Sequence, residues 1–492
     1  SSAFLKYADF SHYADYFNHM EDENIVQAIP NAKASEWMEE NIPLFECPQH
    51  NFEEMYYYRW WSIRKHIKET PVGYGMTEFL VQRSYSDKYN LIACAIGHHI
   101  YESRWLRDPK YLDQIIHTWY RGNDGGPMKK MDKFSSWNAD AVLARYMVDG
   151  DKDYLLDMKI DLETEYQRWE RTNRLKNGLY WQGDVQDGME ESISGGRKKK
   201  YARPTINSYM YGNAKALSCI GILSGDEGMA MKYGMKADTL KNLVENELWN
   251  TRHQFFETMR TDSSANVREA IGYIPWYFNL PDTTQKYEIA WKEIMDEKGF
   301  SAPYGLTTAE RRHPEFRTRG VGKCEWDGAI WPFASAQTLT AMANFMNNYP
   351  QTVLSDSVYF RQMELYVESQ YHRGRPYIGE YLDEVTGYWL KGDQERSRYY
   401  NHSTFNDLII TGLIGLRPRL DNTIEVNPLI PADKWDWFCL DNVLYHGHNL
   451  TILWDKNGDR YHCGKGLRIF VDGKEVGHTD TLTRIVCENV LK

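Results

Sequence analysis

Ser224-Gly-Asp226 separates two helix-forming segments, residues 206–224 and residues 226–248, and shows how most of the chain is organised. The glycine is a common residue just past a helix end, and the aspartate is a good cap for the helix that follows. Gly150-Asp-Lys-Asp153 has the same pattern of one helix ending and another beginning. The repeated unit is therefore a helix, a short polar turn and a second helix.

Outward from this point, helical segments alternate with loops rich in Gly, Asp, Asn and Trp from about residue 88 to residue 415. Together with a segment at 51–70 they number about twelve, which is what six helical hairpins closed into an (α/α)6 toroid require. An open helical solenoid is the alternative, but no 34- or 40-residue sequence period is visible. We therefore predict a mainly α fold, with helices at 51–70, 89–106, 110–119, 134–148, 151–172, 206–224, 226–248, 265–278, 282–296, 331–348, 353–371 and 402–414.

The two ends of the chain differ from this pattern. Residues 1–50 are predicted to form an arm with short helices, and residues 51–415 the toroid, in which Thr77–Arg83 is the one strand-like run. Residues 416–492 are predicted to form a small antiparallel β domain packed on the toroid. Its β-type runs, separated by Asn-Gly and Asp-Gly turn signals, are 423–426, 449–454 and 467–471.

Composition narrows the function. The net charge is −11 and the basic residues are scattered except for Arg197-Lys-Lys-Lys200, so nucleic acid is not an expected partner. That basic run is interpreted as a solvated loop tip. The seven cysteines have no CxxC spacing, which argues against a disulfide scaffold and a zinc site. There is no apolar run long enough to span a membrane. With 17 Trp and 35 Tyr, the chain is rich in the side chains that stack on sugar rings.

Acidic loops indicate the chemistry. The loop 178–195 combines glycines, Trp181 and four acidic residues, and similar loops occur at 324–333, 377–387 and 399–407. Glycoside cleavage needs two carboxyl groups across a sugar-sized gap, one to protonate the leaving oxygen and one to activate water or attack carbon. Asp187, Glu190, Glu380 and Glu384 are the candidates, and the alternative is a merely solvated acidic loop.

Several of these motifs resemble known families. Asp187-Gly-Met-Glu-Glu-Ser192 is similar to the general-acid motif Ser-Gly-x-Asp-x-Ser/Ala of glycoside hydrolase families 63 and 37, the α-glucosidases and trehalases, with Glu190 at the acid position. Glu380-Tyr-Leu-Asp-Glu-Val-Thr-Gly387 resembles their general-base segment, with Glu380 as the base. Trp326-Asp-Gly-Ala-Ile-Trp-Pro332 resembles their substrate loop, and the phrases at 207–212 and 400–405 fit the same group.

The resemblance covers roughly residues 50–492, most weakly in the β domain, and includes relatives of mannosylglycerate hydrolases. It implies an (α/α)6 toroid, inversion of configuration and an α-linked glucose or mannose as substrate. The acid motif departs from the family, because it has Glu where Asp is usual and Asp187 where Ser is usual. Asp187 therefore stays open as the acid beside Glu190. The arginine that often follows the acid motif in the family is absent at its usual distance from the motif. Arg197 and Arg203 are the possible replacements.

Substrate contacts are predicted for a further set of residues. Each has a structural alternative: the tryptophans can belong to the core, Asp327 can be a helix N-terminal acid, and His402 can cap a helix. For Tyr85 and Asp87 the prediction rests on where related enzymes hold the non-reducing end. The set is Trp181, Asp184, Tyr85, Asp87, Trp326, Asp327, Trp331, Tyr381 and His402.

The sequence thus predicts an inverting glycoside hydrolase that acts on an oligosaccharide or glycoside, with no cofactor and no metal. His98 and His99, within an apolar helical segment, are interpreted as structural. A polysaccharide lyase or unsaturated-uronyl hydrolase is one alternative; it needs a cationic pocket for the uronate and a Tyr or His base, and His402, Tyr400 and Arg398 are the candidates. A non-catalytic glycan-binding protein is another. The chain begins Ser-Ser-Ala-Phe without a signal peptide. A removed leader, and so a secreted, periplasmic or cell-surface location, is favoured over a cytoplasmic one.

Overall fold

The structure, a computed structural model, describes residues 4–284, 286–320 and 322–492. The first three residues of the predicted arm and one residue of the predicted helix 282–296 lie outside these ranges. The α-helices of the described residues are α1 Ser11–Asn18, α2 Asn31–Asn41, α3 His50–Arg64, α4 Ile96–Ser103, α5 Lys110–Arg121, α6 Asn138–Asp149, α7 Lys152–Asp157, α8 Lys159–Asn173, α9 Pro204–Ser224, α10 Glu227–Leu243, α11 Ile274–Tyr277, α12 Pro332–Asn348 and α13 Asp356–Ser369.

The helices form two concentric rings. The inner ring contains α4, α6, α9, α11, α12 and a last turn of π-helix, Leu408–Leu413, and each packs against the next. Every residue of α4 is buried, as expected of a helix enclosed on all sides. The ring closes where Glu102 accepts the backbone N–H groups of Phe405 and Asp407, each at 2.7 Å. The predicted (α/α)6 toroid is confirmed.

The inner helices begin at one end of the toroid. Pro204 and Pro332 open α9 and α12, because proline has no N–H to leave unbonded in the first turn. The residue before α12, Trp331, and Cys94, two residues before α4, line the same cavity. The positive ends of several helix dipoles therefore point toward this end of the toroid.

Several predicted elements differ in the structure, among them the helix predicted at 402–414, of which Leu408–Leu413 forms a π-helix. The helices expected at 265–278 and 282–296 shrink to 3-10 turns, Ala270–Tyr273 and Glu288–Ile294, plus the short α11. The strand expected at Thr77–Arg83 is wrong. Instead Ile67–Thr70 (β2) pairs with Gly73–Met76 (β3), which ends α3 before residue 70.

A side chain explains the missing strand. Asn90 Nδ2 donates to the carbonyls of Phe79 and Val81, at 3.0 and 3.2 Å, and its Oδ1 accepts the N–H of Arg83. The backbone groups that a neighbouring strand would use are therefore satisfied by one amide from the turn that follows.

The C-terminal region is built on a five-stranded antiparallel sheet, whose strands lie in the order β1 Leu44–Glu46, β13 Trp437–Tyr445, β14 His448–Asp455, β15 Gly466–Val471 and β16 Lys474–Thr479. Beside it, β12 Ile424–Val426 pairs with β17 Ile485–Cys487. Among the described residues, five further antiparallel pairs of short strands are β2 with β3, β4 Trp181–Gln182 with β5 Tyr201–Ala202, β6 Trp249–Asn250 with β7 Phe255–Phe256, β8 Ser301–Ala302 with β9 Gly305–Leu306, and β10 Tyr371–His372 with β11 Arg375–Pro376. All three predicted β runs are strands. Trp437–Tyr445 was not predicted, since its mixed Trp, Asp and Asn sequence masks the alternation expected of a half-covered sheet.

The sheet is fastened to the toroid. His446 donates its backbone N–H to the carbonyl of Val148 at the end of α6, and Arg107 Nη1 donates to the carbonyl of Asn442. Strand β1, from the predicted arm, pairs with β13. The division of the chain at residues 50 and 415 remains a prediction. Over the described residues, the structure contains no helix with the length and apolar character needed to cross a membrane.

Candidate active site

A cavity of about 480 Å³ opens at the end of the toroid where the inner helices begin. Its size is within the range of sites that bind small molecules. Three carboxyl groups line it, on three separate segments: Glu78 after β3, Glu190 in the acidic loop and Glu380 in the loop after α13. Aromatic side chains and several cations complete the wall. The remaining lining residues include Phe79, Arg83, Tyr85, Cys94, Lys133, Phe134, Arg197, Cys324, Trp331, Phe333, Arg396, Tyr400 and His402.

Glu380 is buried and is held by two cations. Lys391 Nζ lies 3.6 Å from its Oε2, and Arg396 Nη1 lies 3.3 Å from its Oε1. Both cations come from the loop that follows the Glu380 segment, so the chain folds back to supply them. The two cations therefore fix the position of the Glu380 carboxyl group from two sides.

Glu190 is in a different environment. It has no cation within ion-pair distance among the described residues. Burial, with the negative charges of Asp184 and Glu380, raises the pKa of Glu190 to about 7, although its own backbone N–H and the charge of Arg197 act against the rise. A carboxyl group with this pKa is still protonated in a large fraction of molecules near neutral pH, which is what a proton donor needs.

Glu78 was missed by the sequence analysis. Tyr400 donates its hydroxyl to Glu78 Oε2 at 2.8 Å, and the Cys94 thiol donates to Oε1 at 3.0 Å. Burial raises the pKa of Glu78 to about 7, with the charges of Glu380 and Glu190 adding to the effect. Residue 78 lies within a strand-like run without any acidic motif, so no sequence signal marked it.

Asp187 lies outside the cavity. Its side chain is fully buried and pairs with Arg203 Nε at 2.7 Å. Thr205 and Ser135 donate their hydroxyl groups to the same carboxylate. These partners hold the acidic loop against the start of α9. The structure therefore gives Asp187 a complete set of hydrogen-bond donors and no access to a substrate.

Trp331, Trp326 and Tyr381 form a stack of which only Trp331 reaches the cavity. The ring centroids of Trp331 and Tyr381 are 4.5 Å apart, and those of Trp331 and Trp326 are 4.7 Å apart. Tyr381 donates its hydroxyl to the carbonyl of Lys323. The two outer rings therefore cover the faces of Trp331 and fix its plane, so that Trp331 borders the cavity with a ring edge.

The other predicted substrate contacts also fall into residues that line the cavity and residues that do not. Tyr85 and His402 line the cavity. Asp87 is a turn cap, since it accepts the backbone N–H groups of Lys88 at 2.7 Å and Lys130 at 2.5 Å. Asp327 accepts the backbone N–H of Arg319 at 2.6 Å and is fully buried.

The last two predicted residues, Trp181 and Asp184, also lie outside the cavity wall. Lys200 Nζ sits 5.0 Å over the Trp181 ring, which a sugar would otherwise cover. Asp184 is buried and accepts a hydrogen bond from Ser192 at 3.4 Å. It acts on the cavity only through its charge, which raises the pKa of Glu190.

His402 adds a neutral, polar group. Burial, with the neighbouring His98 and Arg59, holds the pKa of His402 well below its usual range. Its ring lies edge-on to Tyr400, with 4.0 Å between centroids. In the part of the chain that the structure describes, no cluster of three or more His, Cys, Asp or Glu side chains is arranged to hold a metal ion.

Two family models match the chain. The model of the mannosylglycerate hydrolase MGH1-like glycoside hydrolase domain matches residues 88–403. The model of the C-terminal domain of glycosyl hydrolase family 65 matches residues 416–478. The first match holds most of the toroid, including Glu190 and Glu380.

Solved structures show the same fold. A family 63 mannosylglycerate hydrolase from Thermus thermophilus, in complex with glucose, is 12% identical with a TM-score of 0.55, covering 72% of this chain and 98% of that one. A family 78 rhamnosidase from Bacillus sp. GL1 is 12% identical with a TM-score of 0.58, covering 87% of this chain and 41% of that one.

A third structure is far more similar. It bears the name "Sialidase", is 95% identical with a TM-score of 0.99, and is matched over 100% of this chain but only 45% of its own length. This chain thus spans less than half of that protein. The family model confirms the resemblance drawn from the acidic motifs: the chain belongs to the MGH1-like family of glycoside hydrolase domains.

Proposed function

We propose that the chain hydrolyses a glycosidic bond with inversion of configuration, using Glu190 as general acid and Glu380 as general base. The observation that carries this proposal is the contrast between the two carboxyl groups of one cavity. Burial and negative neighbours raise the pKa of Glu190 to about 7. Two cations lie within ion-pair distance of Glu380 and hold it in place.

The two environments suit Glu190 and Glu380 to different catalytic roles. The protonated Glu190 donates its proton to the glycosidic oxygen as the bond to the anomeric carbon breaks. Glu380 accepts a proton from a water molecule, which attacks the opposite face of the sugar. We assign the acid to Glu190 and not to Asp187, because Asp187 is enclosed by Arg203, Thr205 and Ser135.

The other cavity residues are proposed to bind the sugar. Trp331, whose faces are covered by Tyr381 and Trp326, offers its apolar ring edge to the C–H groups of a sugar. Tyr85 and the unpartnered Nε2 of His402 can hydrogen-bond hydroxyl groups. Glu78, already bonded to Tyr400 and Cys94, fixes the wall between the acid and the base.

A substrate panel with stereochemical analysis tests the proposal. The chain is incubated with aryl glycosides and natural oligosaccharides, including α-glucosides, α-mannosides and mannosylglycerate, and the anomer first released is identified by NMR. The proposal expects the opposite anomer from that of the substrate. A product of the same anomeric configuration would show retention, and cleavage that survives loss of both Glu190 and Glu380 would show that other groups act.

Geometry in a ligand complex is a second test. An inverting site holds a water between base and sugar, so the carboxyl groups of Glu190 and Glu380 should be about 6.5–9.5 Å apart. A separation near 5 Å would instead favour a retaining mechanism.

A uronate-directed enzyme is the second candidate, and the cations on the cavity wall favour it. A lyase, or an unsaturated-uronyl hydrolase, would use Tyr400 or His402, both of which line the cavity. Lyase action on acidic polysaccharides gives an unsaturated product that absorbs in the ultraviolet, whereas simple hydrolysis does not. The name of the 95% identical, longer chain adds α-sialosides to the panel. Sugar binding without cleavage of any member would favour a non-catalytic glycan-binding protein.

A further inference from the structure

Five cations reach the cavity or its immediate wall, and they fall into two groups. Lys391 and Arg396 pair with Glu380. Arg83, Lys133 and Arg197 line the cavity, yet within the described residues none of these three has a carboxylate within ion-pair distance. The second group is thus available to an anion from outside.

Arg83 and Lys133 converge on one ring. The Arg83 guanidinium lies 5.4 Å from the Tyr85 centroid and 5.3 Å from that of Phe79. Lys133 Nζ lies 5.6 Å from the Tyr85 centroid and donates to the Tyr85 carbonyl at 3.1 Å. These partners are neutral, so no acid among them compensates the charge of Arg83 or Lys133.

The acidic groups of the cavity do not neutralise this corner. Glu380 is already paired with two cations, and burial raises the pKa of both Glu78 and Glu190 to about 7, so each carries less negative charge near neutral pH than an ordinary carboxylate. Burial lowers the pKa of Lys133, and the nearby positive charge of Lys130 lowers it further. Unpaired cations on a cavity wall are costly to desolvate, and a bound anion would offset that cost.

The basic run at 197–200 extends the positive charge outward. Arg197 lines the cavity, and Lys198, Lys199 and Lys200 are exposed on the adjoining loop. In a chain with a net charge of −11, this concentration at one opening is unusual. Positive charge at the entrance of a cavity attracts anions at long range and raises their rate of association.

We propose that the substrate is an acidic glycan, whose carboxylate is held by Arg83 and Lys133 beside Tyr85 while residues 197–200 guide it to the opening. The guanidinium offers parallel N–H donors to a carboxylate, and the ammonium adds a point charge. This inference rests on the proposed function, since it names the substrate class of the same cavity.

Matched sugars test the inference by binding alone. The intact chain is titrated calorimetrically at low salt with D-glucuronate and D-glucose, with D-galacturonate and D-galactose, and with D-glucose 6-sulfate. We expect at least one uronate to bind about tenfold or more tightly than its neutral partner, the effect of one or two charge-assisted hydrogen bonds. Tighter binding of the sulfate than of either uronate would overturn the carboxylate assignment.

Variants locate the effect. Arg83→Gln and Lys133→Met should each remove most of the preference for the uronate while leaving the affinity for the neutral sugar. Arg83→Lys, which keeps the charge, should retain part of it. Arg171→Gln and Lys176→Met, at exposed positions distant in sequence from the cavity segments, are the matched controls and should change nothing. A preference that survives in both cavity variants, with folding verified by circular dichroism, would overturn the inference.

Hydrolysis assays separate the two proposals. If uronates bind through Arg83 but no glycoside is cleaved, the proposed function fails and the inference stands. If neutral glycosides are cleaved and uronates bind no better than neutral sugars, the function stands and the inference fails. Where cleavage occurs, kcat/KM on an acidic substrate should also fall with rising salt, and less steeply when Lys198, Lys199 and Lys200 are replaced by Gln.

Discussion

Asp187 and Glu190 lie three residues apart in one loop, yet the structure places them in opposite surroundings. Asp187 is enclosed by Arg203, Thr205 and Ser135, and its carboxylate has a donor on every side. Glu190 faces the cavity, where burial and negative neighbours raise its pKa to about 7. The first environment fixes the loop, and the second prepares a proton for transfer.

This difference shows how one acidic motif serves two purposes. A buried carboxylate with complete partners is costly to disturb but chemically inert. A carboxyl group without a cation partner lowers stability when it ionises, and it can be retained for function. Glu380 is also held by cations, Lys391 and Arg396, but unlike Asp187 it lines the cavity.

The largest effect is expected from Glu380→Gln. Without the base, water is not activated, so kcat/KM should fall by about 10²–10⁴-fold on good and poor leaving groups alike. Steady-state assays on an aryl glycoside and a natural oligosaccharide measure this, and added azide is expected to restore turnover with the aryl glycoside. A loss confined to poor leaving groups would reverse the roles of the two carboxyl groups.

Glu190→Gln should be severe only where the leaving group needs a proton. We expect a loss of about 10²–10⁴-fold on natural glycosides and a much smaller one on activated aryl glycosides. The measurement is kcat/KM across aryl glycosides of graded leaving-group pKa, whose dependence on that pKa should steepen in the variant. Near-normal activity on natural substrate in both this variant and Glu380→Gln would contradict the paired-carboxyl proposal.

Asp187→Asn should act on stability more than on chemistry. Leaving Arg203 buried without its charge partner is expected to cost about 3–5 kcal/mol in the free energy of unfolding, measured by denaturant titration. The double variant with Arg203→Met should lose less than the sum of the single losses, since the two groups interact. If Asp187→Asn folds as stably as the parent but loses its turnover, Asp187 takes part in the chemistry after all.

The smallest effect is a shift in pH dependence. Because Glu190 must be protonated, kcat/KM should decline as pH rises through about 7. Glu78→Gln removes a carboxyl group that is coupled to Glu190, so it should lower the pKa of Glu190 and move this alkaline limb to lower pH by about half a unit. If the alkaline limb of the kcat/KM profile keeps its position in Glu78→Gln but is absent in Glu190→Gln, the limb reports the titration of Glu190 alone, without coupling to Glu78.

Sequence patterns predicted the toroid well because helix periodicity and end signals are local. Ser224-Gly-Asp226 does end α9 and precede α10, with Gly225 in the left-handed conformation at the helix end. The prediction failed for the strand at Thr77–Arg83, where Asn90, near in sequence but on another turn, takes the backbone hydrogen bonds. Such a side-chain partner leaves no periodic signal.

The sequence likewise predicted only part of the candidate site. By itself the sequence determined the helical fold, the β region at the C-terminus and the acidic motifs that hold Glu190 and Glu380. Only the tertiary structure decided that Trp331 reaches the cavity while Trp326 and Tyr381 support it, and that Glu78 joins the two other acids. The physical reason is that burial, ion pairing and pKa depend on groups brought together from distant parts of the chain, whereas helices and turns depend on neighbours in sequence.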